Sequence, residues 1–213
     1  MSTASSASSE YIRTTTNYIS RKALIEGPQY VEMRGRSIVE EDVTIRGDLA
    51  PIRVGHYCFF AAGSVLSPCF IIAPPQYEPQ QQQQQPPQPP QPPQQQQSKQ
   101  RYIPMTIGSM TNIGPDAVIQ AASIGSHVEI GANCIVSPRC ILKDCCRLAP
   151  GTVLPPDSVV PPFALMSGAP AKMVGELPPS VVSMMKEKAQ GRYRRRKRWI
   201  VGEGGSGSSS SKR

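Results

Sequence analysis

Two histidines, six cysteines and two clusters of charge are the residues in this chain that could do more than pack. His56 follows Gly55, and His127 follows Gly125-Ser126. A histidine at such a corner can serve as a general base or stand as a solvated polar residue. Cys134, Cys140 and Cys146 recur every six residues, so three thiols could share a metal. No Cys-x-x-Cys pair supports that reading, and cysteine also serves as a small apolar filler. Cys145 has the opposite parity and is expected to face outward, open to reagents. Arg46 and Asp48 form a candidate ion pair, with Arg53 nearby, and read equally as a local pair or an interface. Arg192, Arg194, Arg195, Arg196, Lys197 and Arg198 form a basic run. Three readings of that run stay open: a helix end favoured by its dipole, a contact for an acidic partner or anionic lipid, and an import tract.

Composition bounds what can position these residues. The 213 residues suffice for one sizeable domain, perhaps with a tail. Aromatics are 6% of the chain, whereas Gly numbers 17 and Pro 23, which argues against a helix bundle. No apolar stretch reaches the ~18 residues of a membrane span. Residues 1–9 are Ser- and Ala-rich, so no secretory signal is expected. Six cysteines in such a chain point to a reducing compartment. The net charge of +8 is localised: eight Lys/Arg and one acid lie in 192–213, leaving fifteen against fourteen over the rest. A nucleic-acid-binding face spread over the domain is therefore not expected.

The chain divides by texture. Residues 1–9 and 201–213 read as disordered. Residues 74–100 hold fourteen Gln and nine Pro, and read as a disordered insertion leaving the body at a corner. The rest carries a repeat. From Ile124 in steps of six come Ile130, Val136, Leu142, Leu148, Leu154, Val160 and Met166. Ile107, Ile113 and Ile119 keep the step, with five residues from Ile119 to Ile124, and Val54, Phe60 and Leu66 precede the insertion. Two residues before the aliphatics sit Val128, Cys134, Cys140, Cys146, Thr152, Ser158 and Ala164.

Residues two apart on a strand share a face, so the small residue and the aliphatic both point inward. Three six-residue sides close a triangular coil, and stacked coils pair as parallel strands about 4.8 Å apart. Gly55, Gly108, Gly114, Gly125 and Gly131, each after an aliphatic, are expected to supply the tight corners. Residues 10–73 and 101–170 are assigned to this β-helix, its first coils running through Val31, Ile38, Val43, Ile45 and Ile52. Residues 171–200 are assigned to a C-terminal helix with a basic end. The helix is expected from about Pro179 to Tyr193 or beyond, with Val181, Met184, Met185, Lys188 and Ala189 lying back on a flat face.

The run Ile45-Arg46-Gly47-Asp48-Leu49-Ala50-Pro51-Ile52-Arg53-Val54-Gly55 and the end Gly168-Ala169-Pro170-Ala171-Lys172 resemble the gamma-class carbonic anhydrases and their hexapeptide relatives. Ile141-Leu142-Lys143-Asp144-Cys145-Cys146-Arg147 and the Pro-bounded stretch Thr152 to Phe163, with Tyr11-Ile12 and Gly175-Glu176-Leu177-Pro178, resemble the dynactin subunit five family. The likeness runs from about Tyr11 to Tyr193, interrupted by the insertion. It implies a mainly β fold, a left-handed parallel β-helix of hexapeptide repeats with a C-terminal α-helix. It also implies a non-catalytic, cytoplasmic and cytoskeletal role in dynein-driven cargo transport, notably of endosomes. The partners implied are a sister β-helical subunit (subunit six), an actin-related protein, a large zinc-containing subunit and dynein cargo adaptors. No cofactor, nucleic acid or integral membrane association is implied.

The enzymatic rivals are a degenerate carbonic anhydrase and a hexapeptide acyltransferase. The first needs three imidazoles on one zinc. Aligned to that pattern, the chain offers Pro115, Gln120 and Ser67. The second needs a basic histidine between coils, and His127 is the candidate.

Overall fold

The computed structural model describes residues 11–14, 16–72 and 100–201. The Ser-rich start, the tail and nearly all of the Gln/Pro insertion lie outside the described residues. Short strands recur every 17 or 18 residues and pair in parallel, as in Ile113↔Ile130, Ile130↔Leu148 and Leu148↔Met166. Three sheets result, one on each side of a triangular prism. Coil 1 comprises Asn17–Ser20, Leu24–Glu26 and Val31–Gly35, and coil 6 comprises Arg147–Leu148, Val153–Leu154 and Val159–Val160. One more side, Ala164–Ser167, follows. The protein is a parallel β-helix of six coils with one C-terminal α-helix. The first coil begins at Asn17, and Val31–Gly35 is its third side.

The six-residue spokes fill the prism. Phe60, Ile113, Ile130 and Leu148 stack on the first face, Leu66, Ile119, Val136 and Leu154 on the second, and Ile107, Ile124, Leu142 and Val160 on the third, all at most 2% exposed. Each such side chain contributes about 1.5–3 kcal/mol on leaving water. The small inward residues do a second job. Cys134 Sγ donates to the Ala149 carbonyl at 3.1 Å and Cys140 Sγ to that of Pro155 at 3.2 Å. Thr152 Oγ1 also donates to Ala149, at 2.6 Å. Corner carbonyls turned into the dry interior are thus satisfied.

The corners differ from the expectation. The non-glycine residues with left-handed backbone in the described part are Arg36, Asp42, Tyr57, Met110, Asp116, His127, Asn133, Arg139, Cys145, Asp157 and Phe163, with φ between 54° and 63°. Each lies three residues before an inward aliphatic. This φ costs an L-residue on the order of 1 kcal/mol. The return is a reversed amide. Strand N–H groups donate to the following coil, as Asn112 does to Val128 at 2.8 Å, whereas the corner amides of His127, Asn133 and Cys145 donate back to Ser109, Pro115 and Ser126, each at 2.9 Å. The glycines after the aliphatics serve another purpose. A Cβ on Gly108 or Gly114 would meet the next coil's backbone at 2.4 or 2.5 Å. They are needed for close approach, not for positive φ.

The two ends are unlike. Lys172–Glu176, which the sequence reading assigned to the helical segment, is a strand antiparallel to Ala164–Ser167. The stretch before it bonds to the second face, with Val153 N–H to the Gly168 carbonyl at 3.0 Å and Ala171 N–H to that of Val153 at 2.8 Å. At the other end, among the described residues, only the first face is extended, by Tyr11–Thr14 antiparallel to Asn17–Ser20. The insertion leaves at a corner. Its flanks, Phe70–Ile72 and Gln100–Tyr102, form an antiparallel stem between the second face (Val65–Leu66) and the third (Met105–Ile107).

The helix spans Val181–Val201, so it starts two residues later than read and runs well past Tyr193. It lies on the first face and crosses every coil. Val181 and Met185 pack on Cys145 at one end, and Ile200 packs on Tyr11 and Tyr18 at the other. Met184 is 52% exposed and lies off the contact face.

Candidate interaction surfaces

With the first face covered, the second and third remain open. The outward column of the second face is Leu24, Thr44, Val65, Val118, Ile135 and Val153, apolar but for one threonine. Beside it lies the Arg46 cluster. Strand pairing sets Glu26 opposite Arg46. The guanidinium reaches Glu26 at 2.5 Å and grips both oxygens of Asp48 at 2.9 Å. The hydrogen bond from Arg46 holds the Asp48 carboxyl below the usual carboxylate range. Arg46 is therefore paired within its own chain and ties coil 1 to coil 2. Arg53 is not part of this group. It stands on the third face, 3.7 Å from Glu32, both well exposed.

The basic run is split by the helix period. Arg192 donates to Asn112 and stacks 4.2 Å from the centre of the Phe59 ring. Arg196 reaches Glu40 at 2.9 Å and the Tyr11 hydroxyl at 2.6 Å. Both bind the helix to its own β-helix, so the run as a whole is not a free cationic patch. Arg194, Arg195, Lys197 and Arg198 are exposed. A spacing of four (188, 192, 196, 200) was the available signal for this division.

Lys188 continues the row by pairing with Glu129, which Arg147 also grips at 2.6 Å. Burial opposes charge on Glu129, but Lys188 and Arg147 outweigh it and hold its carboxyl below the usual range. A carboxyl with a depressed folded pKa adds stability above its unfolded value and loses it as pH falls through the folded one. Helix docking is thus expected to be constant near neutrality and to loosen below about pH 4. Trp199, the one tryptophan, sits edge-on to Tyr11 at 6.3 Å and reports the docked state by fluorescence. Glu129→Gln should cost about 1–3 kcal/mol and diminish an acid transition that precedes loss of the far-UV circular dichroism signal, the Arg196–Glu40 pair remaining. An unchanged transition in the variant would refute this assignment.

The two histidines lie on one edge of the prism, both bonded through their main-chain N–H groups to Ser109. His56 is exposed at the end of a third-face strand. His127 is half-buried at a corner, where burial lowers its pKa against the opposing charge of Asp144. Pro115, Gln120 and Ser67 supply no imidazole. All six cysteines are buried and reduced. Burial pushes the Cys58 thiol up to about 11 and Cys146 to about 12. Cys145 does point out of the prism, but the helix covers it and burial raises its pKa too, so it is not the open thiol expected from sequence. Among the described residues no three His, Cys, Asp or Glu side chains are placed to hold a metal ion.

A six-coil prism with period-six spokes and a helix along one face defines a hexapeptide-repeat β-helix. Solved structures agree on the fold. AntD, an N-acyltransferase from Bacillus cereus, is 12% identical with a TM-score of 0.59, over 84% of this chain and 89% of that one. A hexapeptide transferase family protein from Anaplasma phagocytophilum is 16% identical with a TM-score of 0.56, over 85% and 91%. Sequence is more specific. The dynactin subunit 5 family matches residues 4–73 and 89–198, and the chain belongs to that family. Dynactin subunit 5 of Dictyostelium discoideum is 35% identical over 119 residues, which are 55% of this chain and 48% of that protein. The chain thus matches about half the length of this curated relative.

Proposed function

We propose that the protein is a non-catalytic subunit of the dynactin pointed-end complex, supporting dynein-driven transport of endosomes through protein–protein contacts in the cytoplasm. The observation that carries this reading is the family match, which takes in most of the β-helix and nearly all of the helix. Its partners there are a sister β-helical subunit, the actin-related protein, the large zinc-containing subunit and cargo adaptors. The two uncovered faces suit such a role, since flat ladders of short strands offer extended surfaces. Arg194, Arg195, Lys197 and Arg198 are the cations left for an acidic partner. Arg46, Asp48 and Arg53 flank the early coils, where a sister subunit would meet them. The non-catalytic reading is supported by Pro115, Gln120 and Ser67 at the carbonic anhydrase ligand positions.

The test is affinity purification of the tagged full chain from its own cells, with the bound proteins identified by mass spectrometry. Dynactin subunits in fixed ratio to the chain are expected, with slowed endosome movement when the chain is depleted. Recovery of the chain without any dynactin subunit would overturn the proposal.

A further inference from the structure

The end of the prism at coil 1 is unfinished in a specific way. Every inward aliphatic of coils 3 to 6 named above is at most 2% exposed, but Ile19, Ile25, Val31 and Met33 of coil 1 are only partly buried. They line a hollow of about 410 Å³ together with Thr14 and Pro28. The main chain is open at the same place. Among the described residues, Leu24–Glu26 and Val31–Gly35 have a paired strand on one side only. Exposed strand edges template the addition of further strands. On the first face Tyr11–Thr14 already takes the place of the next strand, so the free edge there lies one strand farther out.

We infer that this end is a docking site for a β-arch of another β-solenoid chain: two strands joined by a corner, added to Leu24–Glu26 and Val31–Gly35 beside Tyr11–Thr14. This rests on the reading that the chain pairs with another β-helical subunit, and it assigns the end used. The geometry selects the arch. A full coil would collide with Tyr11–Thr14, and a single straight strand would leave one edge bare. Two strands turning over the corner Gly27–Tyr30 satisfy both edges and bring inward-pointing apolar side chains from each into the hollow. The molecule shows that such edges accept extra strands, since both ends of the first face carry one. Its opposite end is closed on two faces by its own residues and does not offer the same site. Residues 1–10, which precede Tyr11–Thr14 in sequence, read Met-Ser-Thr-Ala-Ser-Ser-Ala-Ser-Ser-Glu and include no branched aliphatic that could fill it.

The experiment places the photocrosslinker benzoylphenylalanine at Met33 of the full chain, and separately at Val159 on the opposite end, in cells that assemble the complex. The expected product at Met33 joins this chain to the first or last coil of a different β-solenoid subunit, as mapped by mass spectrometry, and the Val159 control lacks it. In parallel, Ile25→Asp and Met33→Asp should each lower recovery of that subunit at least tenfold, with the helix still docked by Trp199 fluorescence. If a variant misfolds, the crosslink alone decides. A crosslink from position 33 to residues 1–10, to a second copy of this chain or to a helical protein overturns the inference, as does no crosslink within an intact complex. Failure of the unmodified chain to bring down any β-solenoid subunit instead overturns the pairing reading itself.

Discussion

Replacing Phe60 by alanine is expected to lower the stability of the β-helix by about 3–5 kcal/mol. The ring is fully buried, at 0% exposure, in coil 3. It stands between Val39 and Ile113 in the inward column of the first face. A cavity there cannot collapse readily. Each coil is fixed to the next by strand and corner hydrogen bonds, so no side can move inward without breaking a ladder. Urea unfolding followed by circular dichroism measures the effect, with Val159→Ala, at a site 59% exposed, as a near-neutral comparison. A loss under about 1 kcal/mol would show that the column is loosely packed.

Gly114→Ala is the second large effect, and it is unusual for so small a change. The added Cβ would sit 2.5 Å from the Gly131 carbonyl carbon and 2.7 Å from the Ala132 nitrogen, all main-chain atoms. A backbone held in a ladder cannot yield as a side chain would, so a loss of about 1–3 kcal/mol is expected. The unfolded chain offsets this by only ~0.4–1 kcal/mol. Gly175→Ala provides the contrast, since nothing lies within 4 Å of its would-be Cβ. The two variants should separate clearly in thermal melts. Equal midpoints would mean that the coils sit farther apart than described.

The parts legible in sequence were those that repeat. Ile124 to Val160 declared the inward column because every sixth side chain meets the same environment. Cys134, Cys140 and Cys146 declared the small inward position for the same reason. The corners were misread because glycine signals two different needs. Close approach selected Gly108 and Gly114, while positive φ fell on chemically unlike residues such as Asp116, His127 and Phe163. The recurrence of Asp42, Asp116, Asn133 and Asp157 three places before an aliphatic was the available clue. Tyr11–Thr14 and Lys172–Glu176 are unique segments whose pairing depends on what the prism leaves open, so no period announces them. Arg192 and Arg196 were read by charge alone, and the contacts they make are set by the face on which the helix lands.

The antiparallel stem at Phe70–Ile72 and Gln100–Tyr102 has a practical consequence. It brings the two flanks of the insertion side by side, with Ile72 directly opposite Gln100. The entropic penalty for closing a longer excursion there grows only logarithmically with its length. A fluorescent protein or affinity handle spliced between these residues should therefore leave the coils above and below undisturbed. Such a graft would place a label at mid-height of the prism.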